Sequence, residues 1–510
     1  MAWLIAKKDF LLNLISTRFI IAFLLCLFLI PFTVIVNVND YQNRLRVYQV
    51  EKAKAEKEFK QTRVYSGVRP EIVKPPQALS IFCKGISNNV GNRVTIYLGK
   101  IPLFAQGKTA ERDNPLLNSF FSIDFINVIA IIMSLLALVF SYDIFSKEKE
   151  NGTLKLIFSN RISRSSFLSG KIAGIYLTLI PILLFNFILS CLIIIFSQDV
   201  SLTANDWLHV ALLFFASFIY MSFFIFLSTF ISSKVKCSIT SIIINLFLWI
   251  WFLFLFPNIS TYLVKTFSKV GLYENMKYAM DQLDNEFSDK CVNFNNSFDI
   301  DRDHFNLNGG YDGYFETTGD SREVIDFEIK IKTFKEPLRI DYADKKWVYQ
   351  KKYLDDLMKQ KKLAKSFAWF SPSDLFENIS SSLCQTNTQE YNDFMSNVRD
   401  YRKTFVQYFV DNKMFELPEY ITPQDINTFP PKKKLEKMWN SIKCIEDCPP
   451  SWFSNYYPYL DLSDIPVFKF HQTSLIQELS QSIIKLSFLV IISIIFFYLT
   501  VLSFRKYDLR

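Results

Sequence analysis

The chain has 510 residues, half of them apolar, with 52 Phe, 13 Gly and a formal charge of +8. No basic run is long enough, or interleaved enough with aromatics, to read as a nucleic-acid surface. The three His (His209, His304, His471) are far apart and no Cys lies near them at ligand spacing, which argues against a zinc or iron enzyme.

An apolar half is ordinary for a globular protein, but its distribution here is not. The apolar residues gather in long blocks separated by stretches rich in Lys, Asp, Asn and Tyr. A hydrocarbon core of roughly 30 Å takes about 20 residues of helix. Six blocks meet that length: 19–38, 123–145 (within 119–145), 172–197, 207–231, 237–257 and 482–503. The first is too long for a cleaved signal peptide, begins too far in, and has no small-residue cleavage site after it. Short-loop Lys and Arg set the orientation. Lys7, Lys8 and Arg18 precede span one, and Lys147, Lys149, Lys155, Arg161, Arg164 and Lys171 separate spans two and three. Lys234 and Lys236 lie between spans four and five, and Arg505, Lys506 and Arg510 form the tail, whereas 198–206 has no basic residue. Both termini are therefore expected in the cytoplasm.

That topology puts two long segments, 39–118 and 258–481, outside the cytoplasm. In the first, 41–60 is rich in Glu, Lys, Arg and Ala and should continue span one as a helix, while Val94-Thr95-Ile96-Tyr97-Leu98 reads as a strand. In the second, Ile325, Phe327, Ile329 and Ile331 alternate with Asp326, Glu328, Lys330 and Lys332, as in a half-buried strand. Asn308-Gly309-Gly310 is a turn signal, and 345–365, 372–383 and 388–412 read as helices. The expected fold is thus an α-helical polytopic membrane protein, six transmembrane helices with two extracytoplasmic insertions, the larger of them mixed α+β. Five of the eight Cys (Cys83, Cys291, Cys384, Cys444, Cys448) fall outside the cytoplasm. Cys444 and Cys448 are spaced to pair across a short loop, but five is odd, free or buried thiols fit as well, and no connectivity follows.

Between spans two and three the sequence predicts a helix leaving the membrane, a break at Gly152, and a short second helix. Thr153 is placed to cap that helix, and Leu154, Ile157 and Phe158 share one apolar face. Ser163 is placed to cap a third helix running into span three. Such a helix suits a groove on a soluble partner, or equally a bed of lipid headgroups. Within the spans, Asn127, Asn186, Asn245 and Pro181 are read as packing features, and Asp124 as a hydrated group near the interface. The carboxylates of 281–303 read as solvated surface, and the aromatics of 452–457 as packing. No Gly-x-x-x-x-Gly-Lys-Ser/Thr phosphate loop occurs; Gly99-Lys100 and Gly170-Lys171 lack the upstream Gly.

The order Asp143, Glu148, Gly152-Thr153-Leu154, Ser159, Ser163-Arg164, Gly170-Lys171 resembles the signature of the type-2 ABC-transporter permease superfamily, with Arg161 where many members carry Pro. Residues 3–16, within an N-terminal segment 1–18, resemble the family's interfacial connecting helix. Phe504-Arg505-Lys506-Tyr507-Asp508 resembles its usual ending. Phe370-Ser371-Pro372 followed by 391–409 is similar to a subgroup with a large insertion between spans five and six. The resemblance implies an exporter-type membrane subunit without cofactor or catalysis of its own. It places Glu148, Gly152, Thr153, Leu154, Ile157, Phe158, Ser159 and Arg164 against a separate ATPase that carries the ATP and magnesium. It further implies two ATPase copies and a second permease chain, identical or related. Membrane lipids surround the spans, and the outer segments could engage a periplasmic or outer-surface partner. The Asn, Lys, Ile and Phe bias with low Gly points to an AT-rich bacterial genome, and the expected location is the bacterial cytoplasmic (inner) membrane. Other readings are a subunit that relays ATPase motion to such a partner without transport, and a membrane-anchored receptor, which would not need the Gly-Thr-Leu segment.

Overall fold

The computed structural model describes residues 1–87, 90–107, 124–159, 162–268, 271, 273–298, 322–429, 431, 433–434, 457–470 and 475–505. The turn at Asn308-Gly309-Gly310, Arg161, Cys444, Cys448, most of the 452–457 aromatics and the tail beyond Arg505 lie outside these residues.

Among the described residues, six helices are long and apolar enough to cross a membrane. A short helix α1 (Ala2–Ile15) precedes the first, α2 (Thr17–Lys60), from which it is separated by Ser16, whose hydroxyl accepts from Phe19 N–H. As expected, α2 continues past the apolar block into the charged run without a break. The first long segment returns along α2 as an antiparallel pair, β1 (Glu71–Val73) and β2 (Arg93–Thr95), with Ile72 opposite Val94. The strand read from Val94 onward is shorter than its apolar pattern: Ile96 N–H donates to Pro70 O at 2.8 Å and the ladder ends there.

Span two is α3 (Phe125–Ser141), followed by α4 (Ser146–Glu150) and α5 (Thr153–Ser159) in the loop. Spans three and four are α6 (Arg164–Ile195) and α7 (Ala204–Lys234). Span five begins as α8 (Ser238–Ile250), loosens to a π-helical stretch at Trp251–Leu255, and goes on as α9 (Phe256–Phe267). The second long segment contributes α10 (Tyr273–Asn296), α11 (Arg322–Phe367), α12 (Pro372–Leu383) and α13 (Thr388–Asp411). Span six is α14 (Leu475–Arg505).

The strand expected at 325–331 is the start of α11, and the described part of the larger insertion is helical rather than mixed α+β. Alternating apolar and charged residues also place Asp326 four residues before Lys330 and Glu328 four before Lys332, the spacing at which opposite charges support a helix. The partner then decides. Phe294 of α10 stacks on Phe334 at 3.9 Å, Phe298 meets Phe327, and Phe287 meets Tyr342, so the two helices bury one face against each other.

Helix α12 is seated among the spans. Its Phe376 stacks on Tyr220, midway along α7, with 4.5 Å between ring centroids, and Leu375, Ile379 and Leu383 are buried with it. Ser371 and Ser373 donate hydroxyl hydrogen bonds to the Phe252 carbonyl at 3.0 and 2.6 Å. A π-helical turn disturbs the regular carbonyl pairing of span five, and these two hydroxyls satisfy an oxygen there that lipid cannot. Asn186 and Asn245 donate back to carbonyls four residues earlier in their own helices, so neither amide group bridges two spans. Asp124 is buried rather than hydrated, its carboxylate accepting from Lys84 N–H at 2.9 Å.

Helix α1 lies against the start of α6. A Cβ on Gly170 would stand 2.7 Å from Ala2 O and 2.9 Å from Ile5 Cβ, so only a hydrogen fits at that contact. Gly170→Val is expected to prise α1 from α6 at a cost of about 1–3 kcal/mol. A lower unfolding midpoint in detergent and faster proteolysis within residues 1–18 would register it.

Candidate functional site: the loop between spans two and three

The loop carries most of the sequence-predicted residues, and the structure folds it back onto four spans. Gly152 separates α4 from α5 with φ +69, a left-handed conformation in which a Cβ is strained, and it stands exposed with no atom near its missing side chain. Thr153 does not cap α5 in the expected way. Its hydroxyl donates to the Glu148 carboxylate, and also to Glu148 O at 3.2 Å. The other Glu148 oxygen accepts from Lys171 Nζ at 3.1 Å, and Lys171 also pairs with Asp9 at 3.3 Å. This network joins α1, α4, α5 and α6. Burial raises the Asp9 carboxyl above its ordinary range, a rise the Lys171 charge and hydrogen bond only partly offset.

The apolar face of α5 points inward. Leu154 is 1% exposed, and Ile157 and Phe158 are half-buried against the main core. Phe158 packs on Phe167 (5.5 Å) and Phe504 (5.8 Å), and Phe504 meets Phe145 at 4.8 Å, so α5 rests on an aromatic cluster drawn from the end of span two, span three and span six. Arg164 completes that cluster from one side. Its guanidinium lies 5.9 Å from the Phe158 ring and donates to Arg505 O at the end of α14. Ser163 caps α6 as expected, accepting from Ser166 N–H.

What the loop presents outward is different. Leu156 is 68% exposed, with Asn151, Gly152 and Ser159 also exposed and the Ser159 hydroxyl donating to Leu156 O at 2.7 Å. Of the sequence-predicted residues, Gly152 and Ser159 are thus on the open face. Glu148, Thr153, Leu154, Ile157, Phe158 and Arg164 hold the loop in place. Leu156 was missed, although an apolar residue two positions from Leu154 falls on the opposite side of a helix, which is the signal that could have found it.

Two adjacent charges, Lys149 and Glu150, also prove structural. Lys149 Nζ donates to the carbonyls of Ser232 (3.2 Å), Ser233 and Val235 (3.1 Å), closing the C-terminus of α7. Glu150 accepts from Ser238 N–H at 3.1 Å, at the N-terminus of α8. In return the Ser232 hydroxyl accepts from the N–H groups of Phe145 and Ser146 at 3.0 and 3.1 Å, capping α4 from another span. Arg18 binds Asp143 at 3.1 Å and the Tyr142 hydroxyl at 2.8 Å, tying span one to the end of span two. No group of three or more His, Cys, Asp or Glu suited to a metal ion occurs among the described residues.

Among the described residues, six apolar helices long enough to span, an N-terminal helix packed on the third, and a clasped loop with one apolar side chain outward define a multi-pass membrane protein. The chain belongs to the ABC-2 family transporter proteins, whose family model matches residues 3–509. It is a permease component of an ABC transporter, and membrane subunits of this kind work with ATPase partners. No curated protein matches the chain.

Proposed function

We propose that this chain is the membrane subunit of an ATP-driven exporter, with its basic end in the bacterial cytoplasm and α5 seated on a separate ATPase. The observation that carries this reading is the split on α5: Leu154 is sealed inside the protein while Leu156, two residues on, stands in the open. An apolar side chain exposed on a braced platform of charged and polar neighbours is what a groove in a soluble partner engages. Two permease chains and two ATPases would complete the transporter, with ATP and magnesium held by the ATPases. A push on α5 would reach spans two and three along the chain, span six through Phe158 and Phe504, and the turn between spans four and five through Lys149 and Glu150. A relay of force to an outer partner, without transport, is the second reading. It is favoured by the unbroken run of α2 from the basic end to the first long segment.

The test is purification of the tagged protein in mild detergent, with co-purifying chains and ATP hydrolysis read together. A stoichiometric partner bearing a phosphate loop supports the proposal, and its absence defeats it. Lys149→Met should keep that partner bound yet lower the stimulated hydrolysis several-fold, because the link to spans four and five is lost while the outward face of α5 is untouched. Hydrolysis at the unaltered rate would remove that branch of the relay.

A further inference from the structure

Away from the basic end, two thiols meet where the first long segment touches the end of α12. Cys83 follows the short helical turn Ala78–Ile81, and Cys384 is the residue that closes α12. They are 1% and 2% exposed. The backbone around Cys83 is pinned on three sides. Asn37 of α2 donates to Ile81 O at 3.0 Å. Phe82 O accepts from Ile126 N–H of α3 at 3.2 Å, and Lys84 N–H donates to Asp124. Ile86 N–H donates to Thr386 O at 3.0 Å, two residues beyond Cys384. With the chain fixed before and after it, Cys83 shares one buried cluster with Cys384, and the two segments touch so closely that a Cβ on Gly85 would stand 2.4 Å from Thr386 O. Both sulfurs are free thiols in this structure.

We propose that Cys83 and Cys384 are the two halves of a disulfide that staples the first long segment to α12 at the extracytoplasmic end of the bundle. The proposal rests on the orientation given under Proposed function, which puts this end in a compartment where disulfides persist. The oxidant is a disulfide-bearing thiol–disulfide oxidoreductase. The thiolate of one cysteine attacks its S–S bond and expels one thiolate. The second cysteine, as thiolate, then attacks the mixed disulfide and expels the other. Two electrons and the two cysteine protons end on the oxidant, which leaves as a dithiol. Contact with Cys384, then burial, then the Asp124 charge hold the Cys83 thiol well above its usual range, so little thiolate exists once the pair is enclosed. The bond therefore forms during folding, before α12 closes over it, and afterwards resists exchange. Because α12 is wedged among the spans, the staple keeps it registered to the start of span two while the basic end moves.

The experiment uses the full-length protein in membranes prepared without reductant, denatured in excess alkylating reagent and digested unreduced for mass spectrometry. The expected result is a linked pair of peptides containing Cys83 and Cys384, alkylated at those positions only after reduction, with Cys83→Ser freeing Cys384 for alkylation. In parallel, a membrane-impermeant maleimide is applied to intact and permeabilised cells to read Cys237, which lies in the turn before α8. Alkylation of both Cys83 and Cys384 before reduction, with Cys237 shielded in intact cells, overturns the staple and leaves the orientation standing. A link from either residue to another cysteine also overturns it. Labelling of Cys237 in intact cells overturns orientation and staple together.

Discussion

Leu156→Asp is expected to leave the protein inserted and folded while releasing its ATPase. Leu156 is 68% exposed and makes no part of the aromatic cluster, so a charge there leaves that cluster intact. In a docked complex the same carboxylate would be buried without a partner, and an apolar anchor would be lost. Central apolar anchors of interfaces are worth about 2 kcal/mol or more, so affinity should fall roughly 30-fold or beyond. Titration of the purified permease with its ATPase, read by binding and by stimulated hydrolysis, measures this. Unchanged affinity would mean that α5 is not the docking element. Ile157→Asp would be a poor substitute for the test, because Ile157 packs on the core and its loss would confound folding with docking.

Phe504→Ala is expected to have the largest effect on stability. Phe504 is 2% exposed and touches Phe145, Phe158 and Phe167, so its removal empties the space on which α5 rests. Deleting a buried Phe costs about 3–5 kcal/mol when the surroundings cannot collapse. Here collapse is restricted, since Arg164 is anchored to Arg505 O and Lys149 to the end of span four. The unfolding midpoint should drop by several degrees, and ATP hydrolysis should become insensitive to the permease even where some ATPase stays bound. Phe504→Leu should recover most of the loss. Equal behaviour of the Ala and wild-type proteins would show that α5 is held by its polar network alone.

The spans could be read from the sequence because lipid imposes a simple demand: about 20 apolar residues and no unpaired backbone. The extension of α2 was legible for a second reason, since residues 41–60 are strong helix formers that follow an apolar helix without a breaker. The start of α11 was not, because one pattern of alternating apolar and charged residues satisfies both a strand face and i,i+4 pairing, and the choice falls to Phe294 on α10 and Phe298 just beyond its end. The seating of α12 was hidden too. Its amphipathic pattern marks a helix with one buried face but does not say that the face meets Tyr220 among the spans. Asp124 looked hydrated because its position near a span end says nothing about the loop that covers it. At the loop, the apolar face of α5 was correct as a periodicity, yet periodicity cannot tell whether a face turns to the protein or to a partner. The roles of Lys149 and Glu150 were not legible, since nothing in a Lys-Glu-Lys-Glu run says which helix ends will be folded beside it.

The length of α2 has a mechanical corollary. Forty-four residues at 1.5 Å each make a rod of about 66 Å, more than twice the thickness of a hydrocarbon core. Arg18 clips its lower end to Asp143 and Tyr142, which would make that end the fulcrum if α2 swings as one body. A tilt of roughly 10° about such a fulcrum sweeps the far tip through about 11 Å. Ångström-scale work done on one side of the bilayer would then arrive on the other as a stroke long enough to displace a whole domain.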